Sequence, residues 1–324
     1  MPHATLRLSR AGLVAALVLV AAPAAALPPC PTWFPDFRCE RQGRYEGFVA
    51  PVSAPFLFEE PFITTGLSAW YINHEFPNSS IFDGGHLNAV AVQARVAITD
   101  RLAFIATKDG YVWMDPKLGL VDNEQGFVNI AAGFKYALID MREDNFIVTP
   151  ALRFEIPIGS RDVYSGHGDG VFIPSVSTAW GIGDFHAMGS VGGQIPIDYG
   201  DQTSMIFYNL HLDYAVWKYF VPLVELNGYH WTSNGHGNLP IQTDVGTLRL
   251  SYAQDVLGTG GFEGVDVLNL GSPSVSKRDV VTFAAGARFP ITKNVSLGAV
   301  YEFPITSRKY IFDQRVTANV TLEF

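Results

Sequence analysis

The sequence predicts an all-β transmembrane barrel of antiparallel strands joined up-and-down, and three observations predict it. Apolar and polar residues alternate with period two over stretches about as long as the 9–11 residues that a tilted strand needs to cross a bilayer. The chain opens on an apolar leader with the features of an export signal. Aromatic residues gather toward the ends of the apolar faces, where a membrane barrel meets its two interfaces. The 324 residues are 48% hydrophobic and 16% charged, a balance that excludes a disordered tail or a coiled coil.

The first element is the leader. Arg7 and Arg10 precede the apolar run AGLVAALVLVAA at residues 11–22, which ends in PAAAL. Charge, apolar run and small residues in that order predict a signal peptide over 1–26, cut after Ala26. A run of this length is too short for a helix to span a bilayer, which needs about 20 apolar residues. Pro28-Pro29 before Cys30 argues against a lipoprotein anchor. The net charge is −9, and removing the leader leaves 20 Lys plus Arg against 31 Asp plus Glu. Phosphate binding needs a concentrated basic surface, so no nucleic-acid partner is expected.

Residues 27–60 form the second element, rich in Pro and aromatics in PPCPTWFPDF and APFLFEEPF and without a period. They read as an irregular periplasmic lead-in, too short to hold a separate plug domain. The only two cysteines, Cys30 and Cys39, lie here, and an oxidising compartment predicts a disulfide between them. Two cysteines alone cannot close a metal site.

From residue 61 to 324 the alternation takes over. Val90, Val92, Ala94, Val96 and Ile98 oppose Gln93 and Arg95; Val128, Ile130, Ala132, Phe134, Tyr136 and Leu138 oppose Asn129 and Lys135. Farther along, Val148, Leu152, Phe154 and Ile156 oppose Thr149, Arg153 and Glu155, and Ile206, Tyr208, Leu210, Leu212 and Tyr214 oppose Asn209, His211 and Asp213. Val281 to Phe289, Val295 to Phe303 and Val316 to Phe324 repeat the split. Side chains i and i+2 share a face of a strand, so one face is apolar throughout and the other polar. A soluble β-sandwich alternates too, but with its apolar face in a shared core. The export signal, the aromatic ends and Phe324 closing the last apolar face favour a barrel. A terminal Phe on an amphipathic strand resembles the assembly signal read by the barrel assembly machinery of bacterial outer membranes. Closure is also what satisfies every backbone group in lipid.

The connections set the orientation. Asp100-Arg101, 140–145, Gly183-Asp184, Trp217-Lys218 and Lys293-Asn294 are short polar turns, alternating with longer stretches at 77–85, 114–124, 159–170, 198–203, 233–279 and 305–311. Short turns belong to the periplasmic side and long loops to the outside. The expected strand number is twelve, or fourteen if TLRLSYAQDV and FEGVDVLNL form a further hairpin within 233–279.

Chemistry is sparse. His230, Ser233, Asn234 and Gly235 invite comparison with outer-membrane lipid hydrolases, where a His and Ser at i and i+2 share a face. The i+3 spacing here puts His230 and Ser233 on opposite faces of a regular strand, although a bulge would rescue the pair. No catalytic residue, cofactor or metal is therefore expected. The polar parity holds Arg95, Lys135, Arg153, Glu155, His211, Asp213, Glu225, Arg288, Glu302, Asp313, Arg315 and Glu323, the candidate lumen-lining set. Both signs are mixed, which favours cross-strand pairing in a partly filled interior over a wide pore selective for one sign.

The succession RVAITDRLAFIATKDGY, NIAAGFKYALI, FIVTPALRFEIPIGS, PLVELNGYH, VDVLNLGS, FAAGARFPITKNVSLGAVYEFPI and RVTANVTLEF resembles the outer-membrane family known as meta-pathway phenol-degradation proteins, or simply as transporters. It spans most of residues 60–324. The resemblance implies a twelve-stranded barrel in the cell outer membrane, surrounded by its lipids; the leading function expected for it is passive transport of small solutes, aromatic, hydrophobic or weakly polar. A lipid hydrolase using His230 and a barrel with a purely structural role stay open beside it.

Overall fold

The computed structural model describes residues 45, 47–80, 82–117, 123–199, 202–233, 240–241, 246, 248–249, 279–307 and 312–324. The leader, Cys30, Cys39 and most of the 233–279 excursion lie outside them. Among the described residues, twelve antiparallel strands close into a barrel. They are β1 (Gly66–Glu75), β2 (Gly85–Ala97), β3 (Leu102–Lys108 and Tyr111–Pro116), β4 (Glu124–Phe127 and Ile130–Tyr136), β5 (Phe146–Ile156) and β6 (Val171–Ile182). The second half comprises β7 (Phe185–Pro196), β8 (Ser204–Tyr214), β9 (Val221–Ser233), β10 (Asp279–Pro290), β11 (Val295–Pro304) and β12 (Gln314–Glu323).

Each strand pairs with its sequence neighbours, and β1 pairs with β12 from Gly66↔Glu323 to Glu75↔Gln314, which removes both sheet edges. The alternative of a fourteen-stranded wall fails on the small ladder Pro240↔Arg249 and Ile241↔Leu248, which forms a sheet of its own, and on β9 pairing directly with β10.

The alternation sets which face turns outward. Val92, Leu152 and Ile182 leave 54%, 54% and 64% of their surface uncovered, as part of a continuous outward apolar band of the kind that faces lipid. Two aromatic rings bound this band. Tyr136, Trp180, Tyr214, Trp217 and Phe289 lie near the short turns, and Trp113, Phe127, Phe172, Tyr301 and Phe303 near the long loops; all are exposed. Gly183, with φ +59, makes the tight β6–β7 turn that a side chain would strain. Tyr208 lies in register with Gly228 and its ring covers the bare backbone there, so a side chain at 228 would strike it.

β3 and β4 are each interrupted midway. Asp109 interrupts β3, and its carboxylate accepts a hydrogen bond from Val92 N at 2.8 Å. The β2–β3 register changes by one residue across that break, the signature of a bulge.

Candidate functional site

The lumen is filled by the chain's own lead-in. Residues 48–64 run through it without regular secondary structure, and Phe48, Val52, Ser53, Leu57, Phe58, Glu59, Glu60 and Phe62 are all buried. The expected periplasmic placement of residues 27–60 therefore fails for 48–60. The segment is too short for a folded plug domain, but an extended one suffices, because the barrel supplies its hydrogen-bond partners. Inward side chains bond much of its backbone, which an irregular buried segment needs.

The contacts follow the segment along its length. Arg288 donates to Ala50 O at 2.9 Å and Pro51 O at 3.2 Å; Glu225 accepts from Val52 N at 2.9 Å and Ser53 N at 2.5 Å. Asn227 donates to Ser53 Oγ at 2.8 Å, Gln93 to Pro55 O at 2.8 Å, and Arg153 to Phe56 O. Glu59 receives both Arg95 nitrogens in a fork at 2.9 and 2.8 Å and Lys135 Nζ at 2.7 Å. Ser177 and Thr149 donate to Glu59 O and Pro61 O, each at 2.7 Å. Burial alone would raise the Glu59 carboxyl, but Arg95 and Lys135 outweigh it and hold it at about 2.

On the inner wall a carboxylate–imidazole chain crosses three strands. His186 Nδ1 lies 2.7 Å from Asp213, Asp213 3.0 Å from His211 Nε2, and His211 Nδ1 2.7 Å from Glu225, which holds the plug. Phe48 of the plug stacks on His186 at 4.3 Å. A second group joins Glu302 to Thr282 (2.6 Å), Asn227 (3.0 Å) and Arg315 (3.7 Å), and a third joins Lys108 and Asn129 to Glu155 at 2.8 and 2.7 Å.

Of the twelve residues expected to line the lumen, Arg95, Lys135, Arg153, Glu155, His211, Asp213, Glu225, Arg288, Glu302 and Arg315 sit in these groups, all buried except Arg95, which is nearly so. Asp313 precedes β12 and joins none of them, its backbone N–H bonding Glu75 O; Glu323 lies at the barrel mouth, bordering a cavity. Sequence reasoning missed the plug contacts Glu59 and Gln93 and the inward Lys108 and His186. It also missed the outer third of the lumen. There, inward Ile72, Leu87, Val112, Met114, Ile173, Phe207 and Trp231 pack with the loop residues Phe76, Phe82, Tyr164 and Phe312 into one apolar cap. The signal lay in strand ends where both parities are apolar, such as Val171-Phe172-Ile173 and Met205 to Tyr208.

Among the described residues, His230 pairs with a carboxylate rather than a hydroxyl. It lies on the outward parity, with Nδ1 2.5 Å from the exposed Asp279. A bulge does occur opposite Ser204 and Met205, but the hydroxyl it engages is that of Thr232, 2.6 Å from Ser204 Oγ.

No protein-family model and no curated protein matches the sequence. Among solved structures, an outer-membrane channel from Pseudomonas putida F1 superposes with a TM-score of 0.52 at 13% identity, covering 86% of this chain and 100% of that one. The NanC porin reaches 0.46 at 8% identity over 80% and 98% of the two chains. The KdgM porin, solved with disordered oligogalacturonate, reaches 0.41 at 13% identity over 79% and 99%. The first of these likenesses is one of fold: a closed membrane barrel.

Proposed function

We propose that the protein is a passive transport barrel of the bacterial outer membrane that lets small, mostly apolar solutes through a narrow route. The observation that carries this reading is the lumen itself: a wall of both charge signs joined to a hydrogen-bonded, non-regular plug, under an apolar cap. Hydrogen bonds to an irregular segment can be exchanged for water one at a time, whereas a packed β-core opens only by unfolding. The apolar cap suits an apolar solute, whose transfer from water it favours. The resemblance to the meta-pathway phenol-degradation family points the same way, and the outward apolar band between two aromatic rings fits the outer membrane.

A second reading, a structural barrel without transport, is favoured by the density of the filling: the two cavities beside the plug measure about 20 and 30 Å³, room for a water or two. The test is swelling of liposomes that carry the purified protein, with a series of solutes of equal size and decreasing polarity. Faster entry than into protein-free liposomes, rising with apolar character, is expected. Tight liposomes for every solute leave the structural reading.

A further inference from the structure

The plug is not held evenly around its circumference. The hydrogen bonds described above tie it to β2, β4, β5, β6, β9 and β10. Toward β1 and β12 it meets the wall across two cavities. The lower one lies between Pro51, Pro55 and Phe58 of the plug and Ser68, Asn319 and Thr321 of the wall. The upper one lies between Ala54, Phe56 and Leu57 of the plug and Ile72, Gln93 and Arg315 of the wall, and reaches Lys108 on β3 and Tyr229 on β9. Pro55 and Trp70 border both, so the two form one seam that climbs from the short-turn end toward the cap.

Three buried polar atoms with no hydrogen-bond partner among the described residues belong to residues that border these cavities: Trp70 Nε1 on β1, Gln93 Oε1 on β2 and Asn319 Oδ1 on β12; others, such as Arg153 Nε and Nη2 on β5 and Ser175 Oγ on β6, lie away from them. A buried donor or acceptor left without a partner is costly, so those on the cavity walls mark groups that water or a solute satisfies.

We propose that solute passes the plug on its β12–β1 side while the plug stays anchored to β2, β9 and β10. Trp70 and Asn319, with Gln93 at the β2 edge, are then the contact residues of the route. The seam's upper half is walled mainly by apolar side chains, and its unpaired groups are single donors or acceptors. That suits a small molecule with an apolar body and one hydrogen-bonding group. The inference rests on the transport reading above and adds the path and its specificity residues.

The test uses the full chain with Cys30 and Cys39 replaced by Ser. Asn319→Cys places a thiol on the seam and Ser177→Cys places one where the wall bonds Glu59 O. Methanethiosulfonate ethylammonium is expected to modify the first about tenfold faster, since reaction needs an accessible thiolate, and to lower solute flux only there. Equal rates, or unchanged flux after full modification at 319, overturn the proposal. In a second variant, Ser53→Cys and Asn227→Cys are joined by a short bifunctional thiosulfonate, pinning the plug to β9. Flux persists if solute uses the seam and stops if the plug must withdraw, which overturns the proposal. If the unmodified protein carries no solute, the transport reading falls on that result, and the labelling ratio alone decides whether this side of the plug is the wet one.

Discussion

Glu59 bridges Arg95 and Lys135, with the Glu60 carboxylate 3.8 Å from Arg95 as a second anion, all inside the barrel and nearly or fully shut from solvent. Removing one partner of a buried pair leaves the other uncompensated, at a cost of about 3–5 kcal/mol. Glu59→Gln is therefore expected to lower the temperature at which the heat-modifiable folded band on a gel converts to the unfolded one; an unchanged midpoint would mean that water already screens the two cations. The pH dependence follows from the same carboxylate. Its pKa falls from an ordinary 4.5 to about 2 on folding, so its contribution is complete above pH 4.5 and is lost as pH falls toward 2. Midpoints measured in acid should drop through that window in the wild type and drop less in Glu59→Gln. Parallel curves would place the acid sensitivity at other carboxylates.

At the scale of the element, what matters is which face a residue occupies. Val92 lies in the middle of β2 on the lipid face, 54% exposed. An arginine near the bilayer midplane costs about 2–4 kcal/mol, so Val92→Arg is expected to lower the amount of folded protein in the outer membrane, while the same change at the loop residue Asp162 leaves it intact. Equal yields would mean that β2 does not cross lipid at that height. The lumen face is less forgiving than alternation alone suggests. Thr321, a polar-parity position, is buried and bonded to Ser68 and Arg288, so an arginine there meets a cation and a filled space rather than an open channel. This is where the sequence is legible and where it stops. Period two identifies the strands, their faces and the alternation of short turns with long loops, because each property is local. The plug carries no period: PVSAPFLFEEPF takes its conformation from side chains 30 to 240 positions away, such as Arg95 on Glu59 and Arg288 on Ala50. The apolar cap is hidden for a related reason, since a strand end apolar on both faces reads like any buried strand.

For the whole molecule, closure and filling are separate problems, solved by different parts of the chain. Closure lies in the β1–β12 ladder, ten paired positions of backbone that need nothing from residues 48–62. Filling lies in the plug, which bonds Arg153, Glu225 and Arg288 from the inside. A variant lacking residues 48–62 should thus still insert and still migrate as a heat-modifiable barrel, because water replaces the plug as partner for the inward charges in a polar lumen. Its unfolding midpoint should fall, since buried hydrogen bonds to charged groups are exchanged for weaker net gains from water. Its permeability should rise and lose discrimination between apolar and polar solutes, because the lower lumen becomes an aqueous vestibule and the apolar cap is left as the only barrier. Liposome swelling with the solute series used on the intact protein measures this directly. A folded variant with unchanged permeability would place the barrier in the cap, where Phe76, Phe82, Tyr164 and Phe312 meet the inward side chains of the strand ends, and would reduce the plug to a stabilising filler.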